Sequence, residues 1–168
     1  MIETKRLTLR PFSALSDSYP YWESTHDDPA IQTYLPYATG FDICDTRNLL
    51  SCYQNGDFLH DFYFIIEENL NKHAVGALIA TQNMYIHDSL DVCYMIFKQD
   101  RKKGYAKEVL SSFIEYIRKN HVYRFLYFEI EPSNTISNHI VSEVLEAKFL
   151  GIHEDEIGKI FRVYQLEL

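Results

Sequence analysis

No stretch of this chain approaches the roughly 20 consecutive apolar residues needed to cross a bilayer. Its first twenty residues carry Glu3, Lys5, Arg6, Arg10 and Asp17, so neither a membrane anchor nor a secretory leader is expected. Cysteine is scarce. Cys44, Cys52 and Cys93 are odd in number and show no CxxC spacing, which argues against a disulfide framework or a thiolate zinc site and for reduced thiols in the cytoplasm. No Ser/Gly/Pro-rich linker, repeat or low-complexity tract marks a domain boundary. Positive charge is also in deficit: the net charge of -8 argues against a nucleic-acid surface and suits either simple solubility or a cationic, amine-bearing partner. The histidines, at positions 26, 60, 73, 87, 121, 139 and 153, show neither an HExxH motif nor i,i+4 pairing, so no metal site is expected.

What is abundant is apolar and aromatic surface. At 168 residues, 46% hydrophobic and 15% aromatic, the chain can bury one core of ordinary size, and a single domain over residues 1–168 is expected. Arg6–Arg10 alternates polar and apolar residues and stops at Pro11, a short strand. Ser13 or Ser16 can cap a helix through Trp22, and a second helix is expected from Asp42 to Tyr53. Residues 62–67 and 74–84 read as strands joined by a polar turn, and residues 90–97 as a third. From Gly104 to Lys119, Ala106, Val109, Leu110, Phe113, Ile114 and Ile117 recur at the spacing of one buried helix face. Residues 123–130 form another strand, 135–148 another helix and 159–168 a last strand. A hairpin meander followed by strand-helix-strand-helix-strand implies an α+β (mixed α/β) fold whose sheet has antiparallel and parallel parts.

The most informative segment lies where strand gives way to helix: Gln99-Asp100-Arg101-Lys102-Lys103-Gly104-Tyr105-Ala106. Unpaired backbone N–H groups of a first helical turn, the helix dipole and three cations together make an anion site, most simply for a phosphate. There is no GxxxxGK[S/T], so a nucleoside triphosphatase is not indicated.

Arg101-Lys102-Lys103-Gly104-Tyr105-Ala106 resembles the coenzyme A pyrophosphate loop of the GNAT acyltransferases. Thr4–Pro11, Asp91–Ala106, Glu131–Ser137 and Gly158–Tyr164 resemble, in order, landmarks of the branch that acetylates ribosomal-protein N-termini (RimJ/RimL-like). The resemblance implies a GNAT fold with a mixed, mostly antiparallel sheet of six to seven strands flanked by helices. It further implies direct acetyl transfer from acetyl-CoA, as cosubstrate, to a primary amine in a ternary complex. The resemblance implies a peptide or protein N-terminus as that amine, whereas the net charge of -8 suits a small polyamine or aminoglycoside-like compound; a monomer or homodimer without a metal is expected. The alternative from another class is a non-catalytic acyl-CoA-binding or partner-binding module on the same fold.

By matching positions, main-chain donors of Lys103, Gly104, Tyr105 and Ala106 would hold the pyrophosphate, with Arg101 and Lys102 adding charge toward it or toward the 3′-phosphate. Met95, Ile96 and Phe97 would line the pantetheine slot, and Asn134 would bond the arm, unless it only caps the helix with Ser137. An amine nucleophile must be neutral, and Asp91 stands where relatives carry a glutamate base, with Glu129 in reserve. Relatives place a tyrosine seven residues after the asparagine to protonate the leaving thiolate. Here that residue is Val141, which leaves Ser137, another tyrosine or solvent. Cys93 replaces a common glycine, and Lys148-Phe149 falls about twelve residues after Ser137 where relatives have a Gly-Phe pair at about nine, so a helix one turn longer is one expectation. Trp22, Tyr34 and Tyr37 lie where relatives build the acceptor wall, although ordinary packing is the favoured explanation for them.

Overall fold

The computed structural model describes residues 1–56, 60–120 and 122–168, so His121 lies outside the described residues. Among the described residues, five α-helices and eight strands follow one another. They are β1 (Ile2–Glu3), β2 (Leu7–Pro11), α1 (Ala14–Thr25), α2 (Pro29–Tyr34), α3 (Ile43–Gln54), β3 (Phe62–Glu68), β4 (Ala74–Gln82), β5 (Ser89–Ile96), α4 (Tyr105–Asn120), β6 (Phe125–Ile130), α5 (Thr135–His139), β7 (Lys148–Glu154) and β8 (Ile160–Glu167). Hydrogen-bonded neighbours run β1-β2-β3-β4-β5-β6-β8-β7. The fold is the mixed α/β arrangement expected, with eight strands in place of six to seven. β1 is two residues long and carries no periodicity, and nearly every residue of β7 is exposed, so neither shows the alternation that betrays a half-buried strand.

Contacts divide the chain into two compact units, residues 1–79 with 94–112 and residues 80–93 with 113–168. In the first, β1, β2 and β3 pair antiparallel, with Leu9 opposite Ile2 on one side and Ile66 on the other. Its core gathers Phe12, Tyr21, Ile31, Leu50, Ile65, Met95 and Phe97. The helices packed there start on aspartate. Asp28 accepts from the Ala30 N–H ahead of α2, and Asp42 accepts from the Cys44 and Asp45 N–H groups ahead of α3, each satisfying donors that a first turn leaves open. At α1 the cap is reversed: Asp17, inside the helix, accepts the Ser13 N–H at 2.7 Å while Arg10 clamps its carboxylate at 2.7 and 2.8 Å.

In the second unit β6 pairs antiparallel with β8 along its whole length, and β8 with β7, whose register slips between Phe149 and Gly151. β5 and β6 pair parallel only from Ser89↔Phe125 to Asp91↔Tyr127, although β6 runs on to Ile130. The expected helix over 135–148 is shorter. After α5 one π-helical turn spans Ile140–Val144, then Glu146 adopts φ 56 and the Ala147 N–H returns to the Val141 carbonyl at 3.0 Å. A left-handed residue closed by such a bond terminates a helix. Lys148 and Phe149 therefore belong to β7, and the extra helical turn does not exist.

Candidate functional site

In the first unit β5 ends with the Phe97 N–H bonded to the Val75 carbonyl at 2.8 Å, and a single 3-10 turn, Lys98–Asp100, leads into the loop. Lys102 (φ 64) and Gly104 (φ 79) both take left-handed conformations before α4 begins. The first bond of α4 runs from the Glu108 N–H to the Gly104 carbonyl at 3.2 Å, so the N–H groups of Tyr105, Ala106 and Lys107 have no acceptor within the helix. They open at the positive end of a 16-residue dipole. A β-carbon on Gly104 would meet only the Arg6 guanidinium, at 3.6 Å, so the space beside this turn is open.

The cations of the loop are less available than the sequence suggests. Arg101 donates Nε–H to the Ile96 carbonyl at 2.9 Å and forks both terminal nitrogens onto the buried Asp28. Lys103 Nζ meets the buried Asp100 at 2.7 Å, which holds the ammonium pKa above its ordinary value. The other Asp100 oxygen meets His73 Nε2 at 3.0 Å. Lys102 is exposed and, among the described residues, makes no ion pair. Met95, Ile96 and Phe97 bury their side chains, Met95 and Phe97 in the core beside Tyr21, so only their main chain is on offer.

Sequence reasoning missed Arg6. Its guanidinium lies 4.7 Å from the centre of the Tyr105 ring, donates to the Lys103 carbonyl at 2.9 Å and pairs with Glu108 at 2.7 Å. Burial tends to raise the Glu108 pKa, but hydrogen bonds from Thr4 and Arg6 outweigh it and leave the carboxyl below its usual range. Tyr105 donates its hydroxyl to Glu68, which raises the phenol pKa, with burial adding to it. Asp28, Asp100 and Glu108 were equally invisible: Arg6 and Glu108 are 102 positions apart, and no local pattern announces such a partner.

The second unit carries Asp91, Asn134 and Ser137. Asp91 is the last β5 residue paired with β6, and Asn83 donates to both of its oxygens at 2.9 and 3.1 Å. Desolvation raises its pKa, the Asn83 bonds oppose this, and the charge of Glu129 adds to the rise. Glu129 itself meets His153 Nδ1 at 3.0 Å. Asn134 is the cap of α5, accepting the Ser137 N–H at 3.2 Å through Oδ1. Asn138, also missed, is buried and donates to the carbonyls of Glu131 and Asn134, each at 2.8 Å, while accepting from Tyr164 Oη at 2.8 Å. It fixes the turn that presents Asn134. Val141 is fully buried and alkyl, so no proton donor stands at that position. Among the described residues no group of three His, Cys, Asp or Glu is gathered to hold a metal, and none of the cysteines forms a disulfide.

Residues 6–144 match the model of the acetyltransferase (GNAT) domain. The chain belongs to the GNAT family. Solved structures agree in fold with this GNAT domain. A GNAT-family acetyltransferase from Bacillus anthracis superposes with a TM-score of 0.82 at 20% identity, covering 99% of this chain and 96% of that one. A Vibrio cholerae protein assigned as a ribosomal-protein-serine acetyltransferase gives 0.82 at 16% identity, covering 99% and 97%. The microcin C7 self-immunity acetyltransferase MccE, solved with acetyl-CoA and AMP, gives 0.82 at 11% identity, covering 98% and 94%. Among curated protein sequences, none matches this chain. For this GNAT domain no described helix is long and apolar enough to span a membrane.

Proposed function

We propose that residues 1–168 act as one acetyl-CoA-dependent N-acetyltransferase domain of the RimJ/RimL-like type, carrying an acetyl group directly to a primary amine. The observation that carries this is the loop: a left-handed glycine with open space beside it, leading into a 16-residue helix whose first N–H groups have no internal acceptor. Arg101, Lys102, Lys103, Gly104, Tyr105 and Ala106 form the cradle for the pyrophosphate of acetyl-CoA. The main chain of Met95, Ile96 and Phe97 takes the pantetheine arm as an added strand would, and one N–H there polarises the thioester carbonyl. The Asn134 amide keeps its NH₂ for the arm, because capping α5 uses only its oxygen.

Asp91 is the general base. Its partly desolvated carboxylate, oriented by Asn83, takes the proton an attacking ammonium must lose, directly or through one water. The amine nitrogen bonds to the thioester carbonyl carbon, the tetrahedral oxyanion collapses, and the C–S bond breaks to release CoA thiolate. The half-exposed Ser137 hydroxyl is the candidate donor to that sulfur, although a thiol of ordinary acidity needs little help to leave. The acceptor is a peptide or protein N-terminus, in keeping with the ordered landmarks, or a small polyamine or aminoglycoside-like amine, in keeping with the net charge of -8. Cytoplasmic residence accords with the three cysteines, which form no disulfide.

The buried Val141 favours a second reading, an acyl-CoA-binding module without turnover. Incubation with acetyl-CoA and a panel of amines, N-terminal peptides included, separates the two by thiol release. Release above the acetyl-CoA hydrolysis background with at least one amine is expected. Tight acetyl-CoA binding with no acceptor raising release would give the protein to the module reading.

A further inference from the structure

A cation that binds phosphate must be free to turn toward it, and Arg101 is not. Three of its N–H directions are used within the first unit, one by the Ile96 carbonyl at the end of β5 and two by the carboxylate of Asp28. The arginine side chain is 33% exposed and its aspartate partner 2%, so releasing the guanidinium would strand a buried carboxylate. Asp28 is doubly committed, since its Oδ1 also accepts the Ala30 N–H at 3.0 Å as the cap of α2. One side chain thus ties together the end of β5, the first residue of the loop and the start of α2. The device is repeated at Lys103, two residues beyond Arg101, where Asp100 grips Lys103 and His73 with its two oxygens. Two of the loop's three cations are therefore cancelled by buried carboxylates. Lys102 remains, exposed, with a left-handed backbone that breaks the line between its two clamped neighbours.

We propose that Arg101 is a positioning residue, which through Asp28 and the Ile96 carbonyl sets the loop's backbone for an incoming pyrophosphate, and that Lys102 is the loop cation presented to that anion. This rests on the acetyl-CoA reading above. It divides the loop by role: main-chain N–H groups bind, Arg101 and Lys103 hold the shape, and Lys102 supplies the long-range attraction. The basic run in the sequence then acts mostly as internal bracing.

The two roles for Arg101 predict opposite results for one substitution. Asp28→Asn removes the charge but keeps a good helix cap, so α2 retains its start. If Arg101 only positions, the loop loosens and CoA binds about tenfold more weakly, the scale of a lost charge-assisted hydrogen bond. If Arg101 is a phosphate ligand, the same substitution frees it and CoA binds more tightly. Calorimetric titration of CoA into wild type, Asp28→Asn, Arg101→Gln, their double variant and Lys102→Ala, each at several salt concentrations, reads the difference. The expected pattern is that both single variants and the double are weakened alike with the wild-type salt dependence, since they break one clasp. Lys102→Ala weakens binding and flattens the salt dependence, and does so equally with 3′-dephospho-CoA. Tighter binding by Asp28→Asn, or a flattened salt dependence in Arg101→Gln, overturns the positioning role. A Lys102 effect that vanishes with 3′-dephospho-CoA overturns its assignment to the pyrophosphate. Wild-type protein that does not bind CoA removes this proposal and the acetyl-CoA reading together, whereas the other results leave that reading standing.

Discussion

Gly104→Ala separates what the loop does for the fold from what it does for a ligand. The residue sits at φ 79, where an L-side chain costs about 1–2 kcal/mol. Part of that is returned, because alanine narrows the unfolded ensemble by about 0.4–1 kcal/mol relative to glycine. Nothing else is lost in the free protein, since the added β-carbon would lie at ordinary contact distance, 3.6 Å, from the Arg6 guanidinium. The net penalty is then about 0.5–1 kcal/mol, which for a domain of this size lowers the melting temperature by about 1–4 °C. Binding should suffer far more. The methyl group enters the space a phosphate needs to approach the N–H groups of the first turn of α4, and losing one or two charge-assisted bonds at about 1.5–3 kcal/mol each weakens acetyl-CoA by tenfold or more. Thermal melting by circular dichroism and calorimetric titration of acetyl-CoA measure the two effects separately. A variant that keeps wild-type affinity refutes the cradle, and one that melts more than about 10 °C lower refutes the claim that the space beside Gly104 is open.

Asp91→Asn should lower kcat/KM by roughly a hundredfold or more, as expected for a lost general base, and an unchanged pH-rate profile would exclude Asp91 from proton transfer. Because desolvation raises the Asp91 pKa in the fold, its ionisation opposes folding above the usual aspartate range, and this cost disappears in acid. The same variant should therefore melt slightly higher than wild type at neutral pH, an advantage that shrinks as pH falls, and a variant less stable at neutral pH would contradict the desolvation argument. Glu108 is the reverse case: its lowered pKa stabilises the fold above the usual glutamate range and ceases to as pH falls through the folded value, so Glu108→Gln should melt lower at neutral pH and converge with wild type in acid. Parallel melting curves across that range would show that Thr4 and Arg6 do not hold the charge. Tyr164→Phe leaves the buried Asn138 carbonyl without its donor, at a cost of about 1–3 kcal/mol in chemical denaturation, and no measurable loss would mean that Asn138 does not depend on it.

The sequence revealed the elements that repeat a pattern and hid those that depend on distant partners. α4, with its stripe from Val109 to Ile117, and α3, with Asp42 at its head, lie within a residue or two of their expected bounds. α2 escaped because six residues hold too little periodicity to register, although Asp28-Pro29 is a cap followed by the residue best suited to a first turn. The tail of the helix after Asn134 was overextended because Val144, Leu145 and Ala147 continue an apolar stripe, and nothing in that stripe discloses that Glu146 turns left-handed. The site divided in the same way. The position of the loop and of its glycine was legible, since strand, turn and helix are local events. The state of its charges was not, because Asp28 reaches Arg101 across 73 positions.

That division bears on how an acidic protein could build the proposed anion site. With 24 acidic against 16 basic residues, a cradle relying on side-chain charge would compete with carboxylates nearby, and Asp28 and Asp100 do occupy Arg101 and Lys103. Backbone N–H groups at a helix start escape that competition while they face an open space, because the neighbouring carboxylates are already satisfied: Glu108 by Thr4 and Arg6, Asp28 by Arg101 and the α2 cap, Asp100 by Lys103 and His73. Each ion pair removes one carboxylate that could otherwise occupy or repel the site. The charges in the loop thus matter less as attraction than as neutralisation. Removing a clamped cation should then harm anion binding chiefly by loosening the backbone that its ion pair fixes, so that removing its aspartate as well brings no rescue.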